Sequence, residues 1–186
     1  VCFDEQGEKV TKILAKYKQE NSASASVFAR VVNEAMARYP SVDPGLIVFS
    51  HTSGWLPVGT AVVPGGMTRS VVKDNHSEMT LQDFASAIPD GQFNFILFEG
   101  CFMAGLEVAY ELKDKTQYVV GSSAEMLSPG FTPVYKQMFP LLYKKEADLS
   151  AVAAAYYDYY NNLEGDYRSA TISVIRTNGL EMLKSQ

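Results

Sequence analysis

Three short apolar runs constrain the fold most strongly, because each has the length and composition of a strand buried on both faces. They comprise residues 46–50, 93–98 and 118–122, and segments of helical periodicity separate them. Continuous apolar strands that alternate with helices are typical of a parallel sheet with helices on both sides. The pattern therefore predicts an α/β fold with a mostly parallel central sheet.

The other elements are predicted from periodicity and from turn residues. The chain should begin with the end of a strand at Val1 to Phe3, and Thr80 should start a helix with Asp83 at the capping-box position. Residues 54–75 form a long irregular segment, with a short β segment at Thr60 to Val63. The remaining predictions are helices over 8–20, 26–38, 102–112, 133–144, 150–163 and from 178, and a strand over 170–175.

Length and composition bound the class of protein. The 186 residues suffice for a single domain over residues 1–186, and 47% hydrophobic with 20% charged residues is typical of a globular chain. A formal net charge of −5 argues against a nucleic-acid surface. No apolar run reaches the roughly 18 residues of a membrane span, and the first residues do not resemble a signal peptide. Two cysteines are too few for a disulfide framework.

A cysteine and a histidine each follow the end of a predicted strand. Cys101 comes after the run 93–98 and before a predicted helix, and His51 comes after the run 46–50. Since the carboxyl ends of parallel strands share one edge of the sheet, both side chains can converge on one substrate. A helix N-terminus at Cys101 would also lower the pKa of its thiol. The sequence predicts a cysteine hydrolase dyad.

Other polar residues have simpler explanations or supporting roles. His76 lies in a polar stretch typical of a solvated loop, and Cys2 has no catalytic context. A zinc site would need carboxylates in addition to one cysteine and one histidine, so we expect no catalytic metal. Glu99 and Glu125 lie near the same predicted edge, where carboxylates can bind a cationic substrate side chain.

Three segments resemble the clostripain-like cysteine peptidases (family C11), which share the caspase-like fold. Residues 46–57 resemble a strand that ends in a His-Gly box, residues 93–112 resemble the strand and helix around the nucleophile, and residues 118–131 resemble the next strand and loop. The resemblance implies a caspase-like three-layer α/β/α sandwich. It also implies that this chain lacks a first strand and helix that the family has.

The resemblance implies an endopeptidase that cleaves polypeptides after Arg or Lys, secreted by a bacterium or held at its cell envelope. It assigns His51 and Cys101 to the catalytic dyad, Glu99 to the specificity pocket and Glu125 to a second acidic position. Maturation by cleavage after a basic residue would take place at Arg69 or Lys73. No cofactor is required, but calcium is possible because some relatives use it; without EF-hand spacing, its site would have to be assembled from separate loops.

The expected mechanism is acyl transfer through an acyl-enzyme. The Cys101 thiolate attacks the carbonyl, His51 protonates the leaving amine, and backbone N–H groups of Thr52, Ser53, Gly54 and Cys101 stabilise the oxyanion. Two alternatives remain open. The family usually has Gly where this chain has Thr52, so one alternative is a catalytically inactive binding module; the other is a different thiol chemistry, such as acyl transfer to another acceptor or redox sensing.

Overall fold

The structure is a computed structural model, and it describes residues 2–3, 9–10, 13, 15–55, 71–74 and 77–184. The described strands, in chain order, are β1 (Cys2–Phe3), β2 (Lys9–Val10), β3 (Gly45–Phe49), β4 (Val72–Asp74), β5 (Ser77–Met79), β6 (Phe93–Glu99), β7 (Thr116–Gly121) and β8 (Ser173–Arg176). The described α-helices are α1 (Ala25–Arg38), α2 (Leu81–Ala87), α3 (Leu106–Glu111), α4 (Tyr135–Leu142), α5 (Leu149–Asn161) and α6 (Glu181–Lys184).

The central sheet has the order β3-β6-β7-β8 among the described strands. The first three strands are parallel, and β8 pairs antiparallel with β7 at one edge. The three apolar runs of the sequence form β3, β6 and β7, so the prediction of a mostly parallel sheet is confirmed. Two antiparallel pairs lie outside this sheet, β1 with β2 and β4 with β5.

Helices cover both faces of the sheet, because alternate side chains of the buried strands point to opposite sides. In β6, Ile96 and Phe98 join the core beneath α1, α2 and α3, whereas Phe95 and Leu97 join the core beneath α4 and α5. All four side chains are at least nine-tenths buried. The predicted three-layer α/β/α architecture is thereby confirmed.

Local signals placed several helices correctly. The helix expected over 26–38 is α1, and Thr80 caps α2 by accepting a hydrogen bond from the Asp83 backbone N–H at 3.0 Å. The helices expected near 133–144 and 150–163 are α4, which a 3-10 turn precedes, and α5. The last strand begins three residues later than predicted, at Ser173.

The helix expected over 8–20 is not formed in the described part of that range. Lys9–Val10 is a strand, and residues 15–20 are irregular. The segment packs on α1 through polar side chains instead, because the Tyr17 hydroxyl donates to Glu34 at 2.5 Å and Glu20 pairs with Arg30. These tertiary contacts outweigh a weak local helix propensity.

The helix expected over 102–112 is only α3, which starts at Leu106. Phe102 has a φ of 62°, outside the range of a right-handed helix, and the N–H groups of Phe102 and Ala104 donate to the carbonyls of Ala124 and Ser122. The backbone after β6 therefore pairs with the loop after β7 rather than with itself. None of the described helices is long and apolar enough to cross a membrane.

Candidate active site

His51 and Cys101 reach the same edge of the sheet because β3 and β6 are parallel neighbours. Phe49 lies opposite Glu99 in the strand register. His51 comes two residues after Phe49, and Cys101 comes two residues after Glu99. Both side chains line one cleft of about 580 Å³. His51 is exposed and Cys101 is half-buried, as expected for groups that act on a ligand from solution.

The Cys101 thiol lies against the loop that follows β7. The Met126 backbone N–H donates to Sγ at 3.2 Å, and Sγ lies 3.9 Å from the Met126 carbonyl oxygen. The predicted helix N-terminus at Cys101 is wrong, because α3 starts five residues later and has only six residues. The thiol is thus contacted by one backbone N–H group, that of Met126, and not by the N-terminus of a helix. No spacing in the sequence could have predicted this contact.

The Thr52 side chain is turned away from the cleft. It is buried, its hydroxyl donates to the Cys101 carbonyl at 2.6 Å, and it is not among the cleft-lining residues. Gly100 makes room for it, since a Cβ at Gly100 would lie 2.3 Å from the Thr52 Oγ1. Thr52 thus ties the loop after β3 to the loop after β6. Its side chain does not obstruct the cleft.

The two residues after Thr52 lie in the same turn. Ser53 is buried, and its hydroxyl has no hydrogen-bond partner among the described residues. Gly54 has a φ of +73°, and a Cβ there would lie 2.7 Å from the Phe102 carbonyl oxygen, so only glycine fits. The oxyanion role of the N–H groups of these residues stays a prediction.

Glu99 ends β6 and lies in the lining of the cleft, although it is only 3% exposed. Its Oε1 accepts from the Phe131 N–H at 2.7 Å, and its Oε2 accepts from the Tyr135 hydroxyl at 2.6 Å. Burial, followed by the hydrogen bond to Glu99, raises the pKa of Tyr135. Sequence reasoning missed Tyr135, because a contact across 36 positions leaves no local pattern.

Other predicted site residues lie elsewhere. Glu125 is exposed and is not among the cleft-lining residues. Lys73 lies in β4, where its backbone is opposite that of Glu78 in β5. Arg69 lies outside the described residues, as do His76 and the β segment predicted at 60–63. The roles assigned to Glu125, Arg69 and Lys73 stay predictions.

The rest of the cleft is mainly apolar. Phe49 is 76% exposed at the end of β3, and the loop 126–130 contributes Met126, Leu127 and Pro129 to the lining. An apolar wall beside a carboxylate suits a side chain that has an aliphatic stem and a cationic head.

Calcium has no evident site in the described part of the chain. No group of three or more His, Cys, Asp and Glu residues is close enough there to hold a metal ion. Calcium binding stays a prediction from the family resemblance, and no catalytic step is assigned to it.

A thiol and an imidazole line one cleft at the carboxyl edge of a parallel sheet, an arrangement typical of α/β proteins that are cysteine hydrolases. Comparison with known proteins gives the family. The profile of the Clostripain family, peptidase family C11, matches residues 2–186. The chain belongs to this family. A search of curated proteins finds no match.

Solved structures of C11 proteases resemble this fold. An inactive zymogen C11 protease from Parabacteroides distasonis is 31% identical with a TM-score of 0.72, over 92% of this chain and 45% of that one. A secreted C11 cysteine protease from Bacteroides thetaiotaomicron, in complex with an irreversible peptide inhibitor, is 28% identical with a TM-score of 0.75, over 95% and 51%. Another secreted C11 structure from that organism is similar in fold, at 23% identity and a TM-score of 0.80, over 98% and 52%.

The chain spans about half the length of these solved relatives. They support the expected α/β fold and membership in a family of cysteine proteases.

Proposed function

We propose that the chain is a cysteine endopeptidase that cleaves polypeptides after Arg or Lys. The observation that carries the proposal is that His51, Cys101 and Glu99 line one cleft. A nucleophile, a proton carrier and a buried carboxylate are the three groups that acyl transfer on a basic substrate requires. The family, and a relative solved with an irreversible peptide inhibitor, support the peptidase part.

Acylation begins with the Cys101 Sγ as thiolate. Its electron pair forms a bond to the carbonyl carbon of the scissile peptide, and the carbonyl electrons move to the oxygen. When the tetrahedral intermediate collapses, the C–N bond breaks and the His51 imidazolium gives its proton to the leaving amine. The product is a thioester on Cys101 and a new N-terminus. The Met126 N–H, 3.2 Å from Sγ, can stabilise the thiolate before attack.

Deacylation reverses the proton transfers. Neutral His51 takes a proton from water, the hydroxide oxygen adds to the thioester carbon, and the C–S bond then breaks to release a carboxylic acid and the thiolate. In both steps the N–H groups of Thr52, Ser53, Gly54 and Cys101 are the proposed donors to the oxyanion. Removing one such donor typically costs about 10²–10³ in kcat.

Selectivity for basic residues is assigned to Glu99. A guanidinium or ammonium group entering the cleft would meet its carboxylate, while the aliphatic stem lies against Met126 and Leu127. No ion pair among the described residues involves Glu99. Its charge is thus available to a substrate. Glu125, which is exposed, is retained as a proposed second acidic residue.

Two further proposals follow from the family rather than from geometry. The protein is secreted or held at the cell envelope of a bacterium, because two relatives are described as secreted. It matures by its own cleavage after Arg69 or Lys73, the basic residues between the two members of the dyad.

Hydrolysis of fluorogenic peptides tests the proposal. We expect cleavage of substrates ending in Arg or Lys, and a loss of about 10³-fold or more in Cys101→Ala and His51→Ala. Peptides ending in citrulline, which has the shape of Arg without its charge, serve as the matched control. Equal hydrolysis by wild type and Cys101→Ala would contradict peptidase activity and favour an inactive binding module. Thiol reactivity without preference for Arg over citrulline would favour another thiol chemistry.

A further inference from the structure

The carboxylate of Glu99 is held by two donors that do not themselves line the cleft. The Phe131 N–H contacts Oε1 at 2.7 Å and the Tyr135 hydroxyl contacts Oε2 at 2.6 Å. A carboxylate accepts at both oxygens when it is ionised, so two donors suit the charged form. Each oxygen keeps further lone pairs, which a guanidinium group entering the cleft can use.

Tyr135 is a constant donor over the physiological pH range. Burial is the largest cause that raises its pKa, and the hydrogen bond and charge of Glu99 raise it further; a hydrogen bond with Thr132 acts in the opposite direction. The phenol therefore stays protonated where a peptidase would work. It can supply its hydrogen to Oε2 at every working pH.

The loop that carries Phe131 has a second anchor, independent of the carboxylate. The Tyr160 hydroxyl donates to the Gly130 carbonyl at 2.8 Å. Gly130 itself lies so close to Glu99 that a Cβ there would be 2.3 Å from Oε1, at a φ of +63°. Tyr135 acts on the carboxylate and Tyr160 acts on the loop, so the two phenols can be separated by experiment.

Among the described residues, four other titratable groups lie near Glu99 or line the same cleft. Tyr156 and Tyr160 on α5 have raised pKa values, mainly from burial and in part from the charge of Glu99, and His51 and Cys101 line the same cleft. Among these groups only His51 can carry a positive charge. The two hydrogen bonds to Glu99 come from the Phe131 N–H and the Tyr135 hydroxyl, and only the second can be removed by a side-chain substitution.

We propose that Tyr135 is a specificity-positioning residue, whose hydroxyl keeps the Glu99 carboxylate charged and oriented for the basic side chain of a substrate. The inference rests on the proposed function, since it assigns Glu99 to the binding of that side chain. Tyr135 itself does not contact substrate. Phe131 contributes the second donor through its backbone, which a side-chain substitution leaves in place.

The test compares Tyr135→Phe with wild type by the ratio of kcat/KM for an Arg peptide to that for its citrulline analogue. Taking the ratio cancels any effect of pH on the chemical steps, which both substrates share. Loss of a donor to a charged group disfavours the charged form. The pH at which half of the Arg preference is lost should therefore rise. Tyr160→Phe is the matched control and should leave that pH unchanged.

A binding measurement tests the inference even if the protein does not cleave peptides. Calorimetry with agmatine, a small guanidinium compound, should show binding to wild type that weakens on acidification, and in Tyr135→Phe this weakening should occur at higher pH. Identical pH profiles for the two proteins would overturn the inference, as would the absence of agmatine binding or the same shift in Tyr160→Phe. Absence of peptide cleavage with normal agmatine behaviour would contradict the proposed function alone.

Discussion

Gly100→Ala is predicted to strain the contact that joins the two catalytic loops. An added Cβ would lie 2.3 Å from the Thr52 Oγ1 and 2.8 Å from both the Thr52 Cγ2 and the Ser50 carbonyl oxygen. Each distance is below the 3.0 Å that real Cβ atoms essentially never go under. Overpacking of this kind costs about 1–3 kcal/mol, and for a chain of this size each kcal/mol lowers the Tm by about 2–4 °C.

The origin of that cost can be tested by changing Thr52 as well. Thr52→Ala removes the two clashing Thr52 atoms, but not the Ser50 carbonyl oxygen, and it removes a 2.6 Å hydrogen bond, the loss of which alone costs about 0.5–1.5 kcal/mol. In the double variant, the loss in free energy of unfolding should be smaller than the sum of the losses in the two single variants, by about 1 kcal/mol or more. Thr52→Val loses the hydroxyl but keeps the bulk, so it should give no such relief on Gly100→Ala.

Urea denaturation of the single and double variants measures these free energies of unfolding. Additive losses for Gly100→Ala and Thr52→Ala, or equal relief from Thr52→Val, would refute the reasoning. Such a result would mean that Thr52 does not occupy the space beside Gly100.

Three further predictions follow. Thr80→Ala removes the N-cap of α2 and should cost about 1 kcal/mol in free energy of unfolding by urea denaturation, whereas no change would contradict the cap. Glu99→Gln should lower kcat/KM for Arg peptides by about tenfold or more and leave citrulline peptides unchanged; Glu125→Gln tests the second acidic residue in the same way, and equal effects of a variant on both peptides would contradict the role of that residue. On a denaturing gel, fragments from cleavage at Arg69 or Lys73 should be absent from Cys101→Ala. Their persistence in this variant would exclude self-cleavage.

The sheet and the convergence of the dyad could be predicted from sequence because both depend on local patterns. The apolar runs that became β3, β6 and β7 are long enough to identify strands, and parallel neighbours bring the residues after them to one edge. His51 and Cys101 could therefore be placed in one cleft without knowledge of any contact between them.

The immediate surroundings of the dyad could not be predicted, because they depend on contacts between distant residues. The backbone after β6 pairs with the loop after β7, which prevents a helix at Cys101 and supplies the Met126 N–H. Helix periodicity carries no information on that competition. The hydrogen bonds from Tyr135 to Glu99 and from Thr52 to the Cys101 carbonyl are likewise tertiary.

The orientation of the Thr52 side chain could not be predicted from the sequence either. Its bulk beside the histidine suggested an obstructed site, because sequence does not show where a side chain points. The structure places it in the space left by Gly100, behind the cleft. The residue type alone therefore did not show where this side chain lies.

Covalent labelling tests the central claim most directly. An arginyl chloromethyl ketone should add once to the wild-type protein, with the adduct mapped to Cys101 by intact mass and peptide mass spectrometry. Labelling should be absent in Cys101→Ala and slower in His51→Ala and Glu99→Gln, and a citrulline analogue should react slowly with wild type. Absence of an adduct on Cys101, or equal rates for the Arg and citrulline reagents, would contradict a basic-specific Cys101/His51 peptidase.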